Sequence, residues 1–224
     1  MAKKKIWTCA LCGELRVATR EHVPPKNLFL APRPTNTITV SVCNECNYRF
    51  HLDDEYFRVY VCAGAQPETR LARLLDEKVA GSSFLRGEGL RSRLNNDRAR
   101  LQEHHMQVPI RTFEDEVLAN ELAPLAQPFA ASRINAVVEK VVRCLYFLHY
   151  NATIAAEAHI VVDTTPLTNA DKRLLYEHRT GCVGHYDEFV YHHETTSEGT
   201  SRWLLGFYHH HTFTVKTQKT RRAD

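Results

Sequence analysis

Polar and apolar residues alternate with period two over Thr37-Ile-Thr-Val-Ser-Val42, which predicts a short strand. The segment before it, Pro32-Arg-Pro-Thr-Asn36, reads as a surface loop. From Asn47 the period changes. Tyr48, Leu52, Tyr56, Val59 and Tyr60 recur near helical spacing, so a helix is expected to start at or just after Cys46. Strong helix formers and many arginines run through 68–80 and 90–106, with breaks at Gly81-Ser-Ser83 and Gly87-Glu-Gly89. The clearest helix covers 132–150, where Ile134, Val137, Val138, Val141, Val142, Leu145 and Leu148 line one face and Ser132 can cap the start. Val, Tyr, Phe, Trp and Thr then dominate 187–193 and 202–217, on either side of the polar stretch 194–200, a pattern that predicts a β-hairpin with a long loop. The basic tail, 219–224, is expected to fray.

Composition narrows the class. The chain has 224 residues, 43% of them hydrophobic and 25% charged, enough apolar surface to build a core and too much for a disordered chain. No apolar run reaches the length of a membrane span, and the opening Met-Ala-Lys-Lys-Lys has no apolar stretch behind it, so neither an anchor nor a secretory signal is expected. The chain therefore reads as soluble and cytoplasmic. A net charge of +3 is too mild to identify a nucleic-acid binder. Seven cysteines are an odd number, which argues against a complete disulfide framework and for metal ligation by paired thiols.

Cys9-Ala-Leu-Cys12 and Cys43-Asn-Glu-Cys46 are two C-x2-C pairs separated by thirty residues. Two such knuckles let four thiolates converge tetrahedrally on zinc. Gly13 suits the tight turn that the first knuckle needs. Residues 1–60 are thin in apolar side chains, so zinc ligation would supply folding energy that this segment lacks. With four sulfurs around it, the ion has no open position and acts as scaffolding.

Between the pairs stands Thr19-Arg20-Glu21-His22-Val23-Pro24-Pro25-Lys26, and Asn47 follows the last cysteine. An acidic residue plus His before a Pro-containing loop, nested between zinc knuckles, with Cys-x-x-Cys-Asn at a helix start, resembles the HNH (ββα-metal) endonuclease family, and most closely its zinc-stapled members. The resemblance covers about a quarter of the chain, residues 7–60. It implies an α+β fold: an N-terminal ββα-metal (HNH-like) module over 1–62, stapled by zinc on four cysteines, then 63–224 as a mainly helical body and a C-terminal β-hairpin. It also implies hydrolysis of DNA phosphodiester bonds, with His22 as general base and Glu21 and Asn47 as ligands of one divalent cation, magnesium or manganese. Arg20 and Lys26 flank the pair and are expected to contact phosphate. Many family members carry a further His about eight residues after the Asn, where this chain has Asp54 and Glu55. His51, one helical turn after Asn47, ranks first as the third ligand and Glu55 second.

Each of these residues also has a plainer reading. Glu21 and His22 alternate faces on a regular strand, and only the Val23-Pro24 junction, where the chain leaves the strand, brings them together. Asn47 could simply cap a helix, and Asp53, Asp54 and Glu55 read as a hydrated acidic face. Cys62, Cys144 and Cys182 read as free thiols, with a C-x2-H pair at Cys182 and His185 as a weak metal signal. His209, His210 and His211 lie within a strand-like run and alternate faces. The arginines of 70–100 suit a DNA-facing surface or an ordinary solvated one. The rival to an endonuclease is a non-catalytic zinc-ribbon module that binds nucleic acid or protein. RNA stays open as a substrate, and cutting two strands symmetrically would favour a homodimer.

Overall fold

The computed structural model describes residues 5–62, 70–74, 105–106, 129–184, 188–196 and 200–218. The helices expected over 75–80 and 90–104, most of the arginine run, His185 and the tail lie outside these residues. The fold is mixed α/β, and every strand pairing described is antiparallel. Two compact units divide the chain: residues 1–26, 33–50 and 138–224 form one, and residues 27–32 and 51–137 the other. The N-terminal strands thus share a unit with the C-terminal half.

In the first unit, β1 (Ile6–Thr8), β2 (Leu15–Val23) and β3 (Ile38–Cys43) form a three-stranded sheet in that order. The alternation at 37–42 gives β3 as expected. Helix α1 (Asn44–Cys62) starts within the second cysteine pair, three residues earlier than its periodicity indicates. Cys43 closes β3 and Asn44 opens the helix with no loop between, and the polar first turn carries no hydrophobic period from which to read it.

The second unit gathers apolar side chains from the later turns of α1 and from α2 (Arg70–Leu74), β5 (Phe129–Ala130), which pairs with β4 (His105–Met106), and the start of α3 (Ala131–Tyr150). Phe129 sits edge-on to Tyr56 and Tyr60, with ring centroids 5.6 and 5.4 Å away. The Tyr56 hydroxyl accepts from Ala130 N at 2.8 Å, so this buried phenol is satisfied. Asp53 pairs with Arg133 at 3.1 Å, and Asp53, Asp54 and Glu55 are half-buried, not a hydrated face. The Arg133 guanidinium lies over the Tyr56 ring, 5.3 Å from its centre, and Asp53 supplies the carboxylate that pairs with it there.

The rest of α3 returns to the first unit. It follows the expected apolar face, except that Leu148 is exposed in the last turn. Beyond it, β6 (His159–Asp163), β7 (Gly181–Val183), β8 (Phe189–Thr195), β9 (Ser201–Phe207) and β10 (His211–Gln218) form a five-stranded sheet, ordered β6-β10-β9-β8-β7. The C-terminal region is therefore a full sheet and not a single hairpin. The strand-like run 202–217 is broken at Tyr208 and His209, which adopt φ of 53° and 59°. Such values at both central positions mark the tight turns that join antiparallel strands. No Gly or Asn signals this turn. Instead His209 stacks on Tyr176 with centroids 5.2 Å apart, which helps to offset the unusual backbone.

Central strand β9 is covered on both faces. Trp203, Leu205 and Phe207 share one face with Phe189, Phe213 and Val215, and all six are buried. Leu204 and Val190 on the other face pack against Leu175 of α4 (Asn169–Tyr176) and Leu167. Gly206 permits the close approach of α4, since a Cβ there would lie 2.9 Å from Val190 and 3.1 Å from Leu175. The buried Trp203 indole donates to Ser201 Oγ at 2.8 Å, and Ser201 in turn bonds Thr217. Among the described residues no helix is long and apolar enough to cross a membrane.

Candidate metal centre

The thiols of Cys9, Cys12, Cys43 and Cys46 lie within 4.8 Å of one another, a cluster able to hold a metal ion. Four sulfurs at that spacing suit a soft-to-borderline ion in tetrahedral geometry such as zinc. Local backbone chemistry builds the cluster. Gly13, at φ +76°, turns the chain after the first pair, and its N–H donates to Cys9 O at 2.9 Å. Cys9 N donates to Glu14 O and Ala10 N to Ser41 O, both at 2.9 Å, which ties the first knuckle back to β3. Cys43 ends β3 and Cys46 lies in the first turn of α1, so the second pair clasps strand to helix.

The electrostatics favour the Cys9 thiolate over those of Cys12 and Cys46. Burial alone would raise the Cys9 thiol, but N–H donors from Cys43, Cys12 and Leu11 outweigh it and bring its pKa down to about 7. The Cys43 N–H reaches Cys9 Sγ at 3.3 Å. Burial, then the sulfurs around it, push the Cys46 thiol strongly up, and burial likewise raises Cys12. Four thiols this close cannot all ionise without a cation, which is the electrostatic case for a bound metal.

The other residues singled out from the sequence fall into three places. Glu21 and Thr19 share one face of β2, and Asn47 Nδ2 donates to Thr19 Oγ1 at 2.9 Å, while Thr19 Oγ1 donates to Val42 O at the same distance. Asn47 therefore stands on the Glu21 face, in the first turn of α1. Glu21 is buried, and its Oε1 accepts from Lys140 Nζ of α3 at 2.8 Å. His22 pairs with Thr39 in the regular β2–β3 register, so it lies on the opposite face of the strand, with exposed Arg20. Val23 is the last residue of β2, as the Pro24 junction predicts. Lys26 is exposed in a short 3-10 helix (Lys26–Leu28). His51 is exposed on α1, and Glu55 half-buried there.

Burial, then the positive charge of Lys26, outweigh the opposing pull of Glu21 and hold the His22 imidazole below its usual pKa, with Arg33 and Arg20 adding to the effect. At neutral pH the ring is a free base in a positive field. A hard divalent cation needs oxygen donors. Glu21 carries a carboxylate on one side of β2, and Asn47 of α1 brings an amide to Thr19, two residues away on the same side. One Glu21 carboxylate oxygen already receives the Lys140 ammonium at 2.8 Å. Among the described residues, the four cysteines are the one group of three or more His, Cys, Asp or Glu side chains close enough to share an ion.

Sequence reasoning passed over two members of this arrangement, Thr19 and Lys140. Thr19 carries no signal, since a Thr is ordinary in a strand. Nor does Lys140: it falls seven residues after Arg133, off the apolar face that Ile134, Val137, Val138 and Val141 define, and only the fold shows that it is buried.

No protein-family model matches the chain, and no curated protein or solved structure matches it either.

Proposed function

We propose that the chain is a metal-dependent endonuclease of the HNH (ββα-metal) class, with zinc in the four-cysteine cluster as scaffolding and DNA as substrate. The observation that carries the reading is the Asn47–Thr19 hydrogen bond at 2.9 Å, through which the amide after the last cysteine joins the Glu21 face of the hairpin. Bound at Glu21 and Asn47, with His51 as the candidate third ligand, magnesium or manganese would neutralise the charge that develops on the 3′ leaving oxygen. His22 takes the proton of the attacking water, a task that suits an imidazole kept neutral at pH 7. Arg20 and Lys26 hold the phosphate backbone by charge. Regular alternation along β2 sets the condition this reading must meet: His22 and Glu21 have to address one phosphate across the end of the strand, at the Pro24-Pro25 turn.

The test is plasmid nicking with magnesium or manganese. His22→Ala is expected to lose about 10²–10⁴-fold in rate while keeping its melting temperature and its zinc. Equal cleavage by wild type and variant, or none by wild type, ends the reading. One observation favours a second reading, a non-catalytic zinc-ribbon module: the Lys140 ion pair gives Glu21 a structural task. That reading expects salt-dependent DNA binding that is indifferent to Glu21→Gln, His22→Ala and Asn47→Ala.

A further inference from the structure

The Glu21–Lys140 pair links the strand that carries the candidate cation ligand to a helix otherwise devoted to core. Lys140 is 2% exposed and Glu21 7%, and their charged atoms are 2.8 Å apart. Lys140 Nζ also lies 5.5 Å from the centre of the Phe50 ring. Burying either charge alone is costly, and an opposite charge at this distance replaces the lost hydration. A buried Lys whose ammonium reaches the one buried carboxylate of β2 is therefore there for that carboxylate.

We propose that Lys140 is a positioning residue, the resident counter-ion of Glu21, whose ammonium competes with a divalent cation for the same carboxylate. This rests on reading Glu21 as a cation ligand. With no divalent ion at Glu21, the ammonium holds the carboxylate in place at 2.8 Å. When the ion arrives, two positive charges share one carboxylate, so Lys140 weakens binding and gives a site that fills only at higher cation concentration. Removing the ammonium should have two linked effects. The protein loses stability, because a buried carboxylate is left unpaired, and manganese should then restore that stability by binding more tightly than it does to wild type.

The experiment uses the full chain with its zinc, dialysed into buffer without other divalent ions and without a chelator. Free manganese is followed by its electron-spin signal, and melting temperature is recorded in the same titration. Lys140→Met is expected to bind manganese about tenfold more tightly or better, equivalent to about 1.4 kcal/mol. Its melting temperature should start below that of wild type and rise further on adding manganese. Glu21→Gln and the double variant Glu21→Gln/Lys140→Met should lose the response. Unchanged or weaker binding by Lys140→Met, or binding that ignores Glu21→Gln, overturns the proposal. If Lys140→Met does not fold, Lys140→Arg takes its place: a two-pronged grip on Glu21 should raise the manganese dissociation constant several-fold, and an unchanged constant overturns the proposal equally. Plasmid nicking on the same samples separates the two ideas. Manganese held through Glu21 without nicking ends the nuclease reading and leaves the counter-ion standing, whereas nicking that is lost in His22→Ala but ignores Glu21→Gln and Lys140→Met ends the counter-ion and the Glu21 ligand role while a nuclease based on His22 remains.

Discussion

The two antiparallel sheets of the first unit are held by different physics. In the five-stranded sheet, β9 is buried on both faces, with Trp203, Leu205 and Phe207 fully out of water. In the three-stranded sheet, Ile6, Trp7 and Leu15 are more than half exposed, and only two of the nine β2 residues are buried. What holds that sheet is four converging thiols at one end and a buried ion pair at the other. A region that does not spend its side chains on a core is free to present His, Glu, Asn and Arg, which explains why the candidate chemistry sits on the weaker sheet.

Metal removal should separate the two sheets most sharply. A structural zinc contributes about 10–16 kcal/mol in small zinc modules, as much as the whole net stability of a typical domain. Cys46→Ser, or extraction of the ion with a strong chelator, is expected to abolish hydrogen-exchange protection across β1–β3 and the first turn of α1. Amides of β8–β10 should stay protected. Protection of β2 and β3 that persists after the metal is gone would break the contrast. The reverse experiment is Phe207→Ala. Phe207 packs 5.0 Å from Phe189 and 5.8 Å from Phe213, ring to ring, and its loss should cost about 3–5 kcal/mol in urea unfolding. Zinc content per folded molecule should not change.

The contrast also accounts for what could be read in advance. Covalent spacing announces the metal cluster, because C-x2-C pairs need no tertiary context to be recognised. Periodicity likewise gives α3 and β3, since each has one buried face. It fails where both faces are buried or where the chain is short. Leu204-Leu205-Gly206-Phe207 reads as a continuous apolar run, and the break at Tyr208–His209 is stabilised by a stacking partner in α4, far away in sequence. Strands β6 and β7 are short edges whose only signal is pairing. In the candidate site, the residue types at 21, 22 and 47 are legible, but their faces are not. The Thr19 bridge and the Lys140 partner depend on contacts 28 and 119 residues apart.

The stronger sheet has a weakness of its own, and it is tuned by acid and not by metal. His193 of β8 stacks on Trp203 with centroids 4.5 Å apart and lies 4.4 Å from the His149 ring at the end of α3. Its Nδ1 meets the Tyr150 hydroxyl at 3.0 Å, and that hydroxyl also bonds Thr195. Burial first, then His149 and His192, push the His193 pKa down to about 4. The unfolded chain, near 6.5, therefore takes up the proton first as pH falls. Stability from this group is complete above pH 6.5, is lost between 6.5 and about 4, and levels off below. Discounted for partial exposure, the loss should be about 1–2 kcal/mol. His149 shifts the same way through burial and steepens the same window. Acid would also protonate thiolates and release a zinc held by them, so the measurement is a difference: urea unfolding at pH 7.5, 6 and 5 for wild type and His193→Gln, in which any metal contribution cancels. A shallower slope for the variant assigns part of the acid sensitivity to the aromatic sheet. Parallel slopes would assign all of it to the metal-held one.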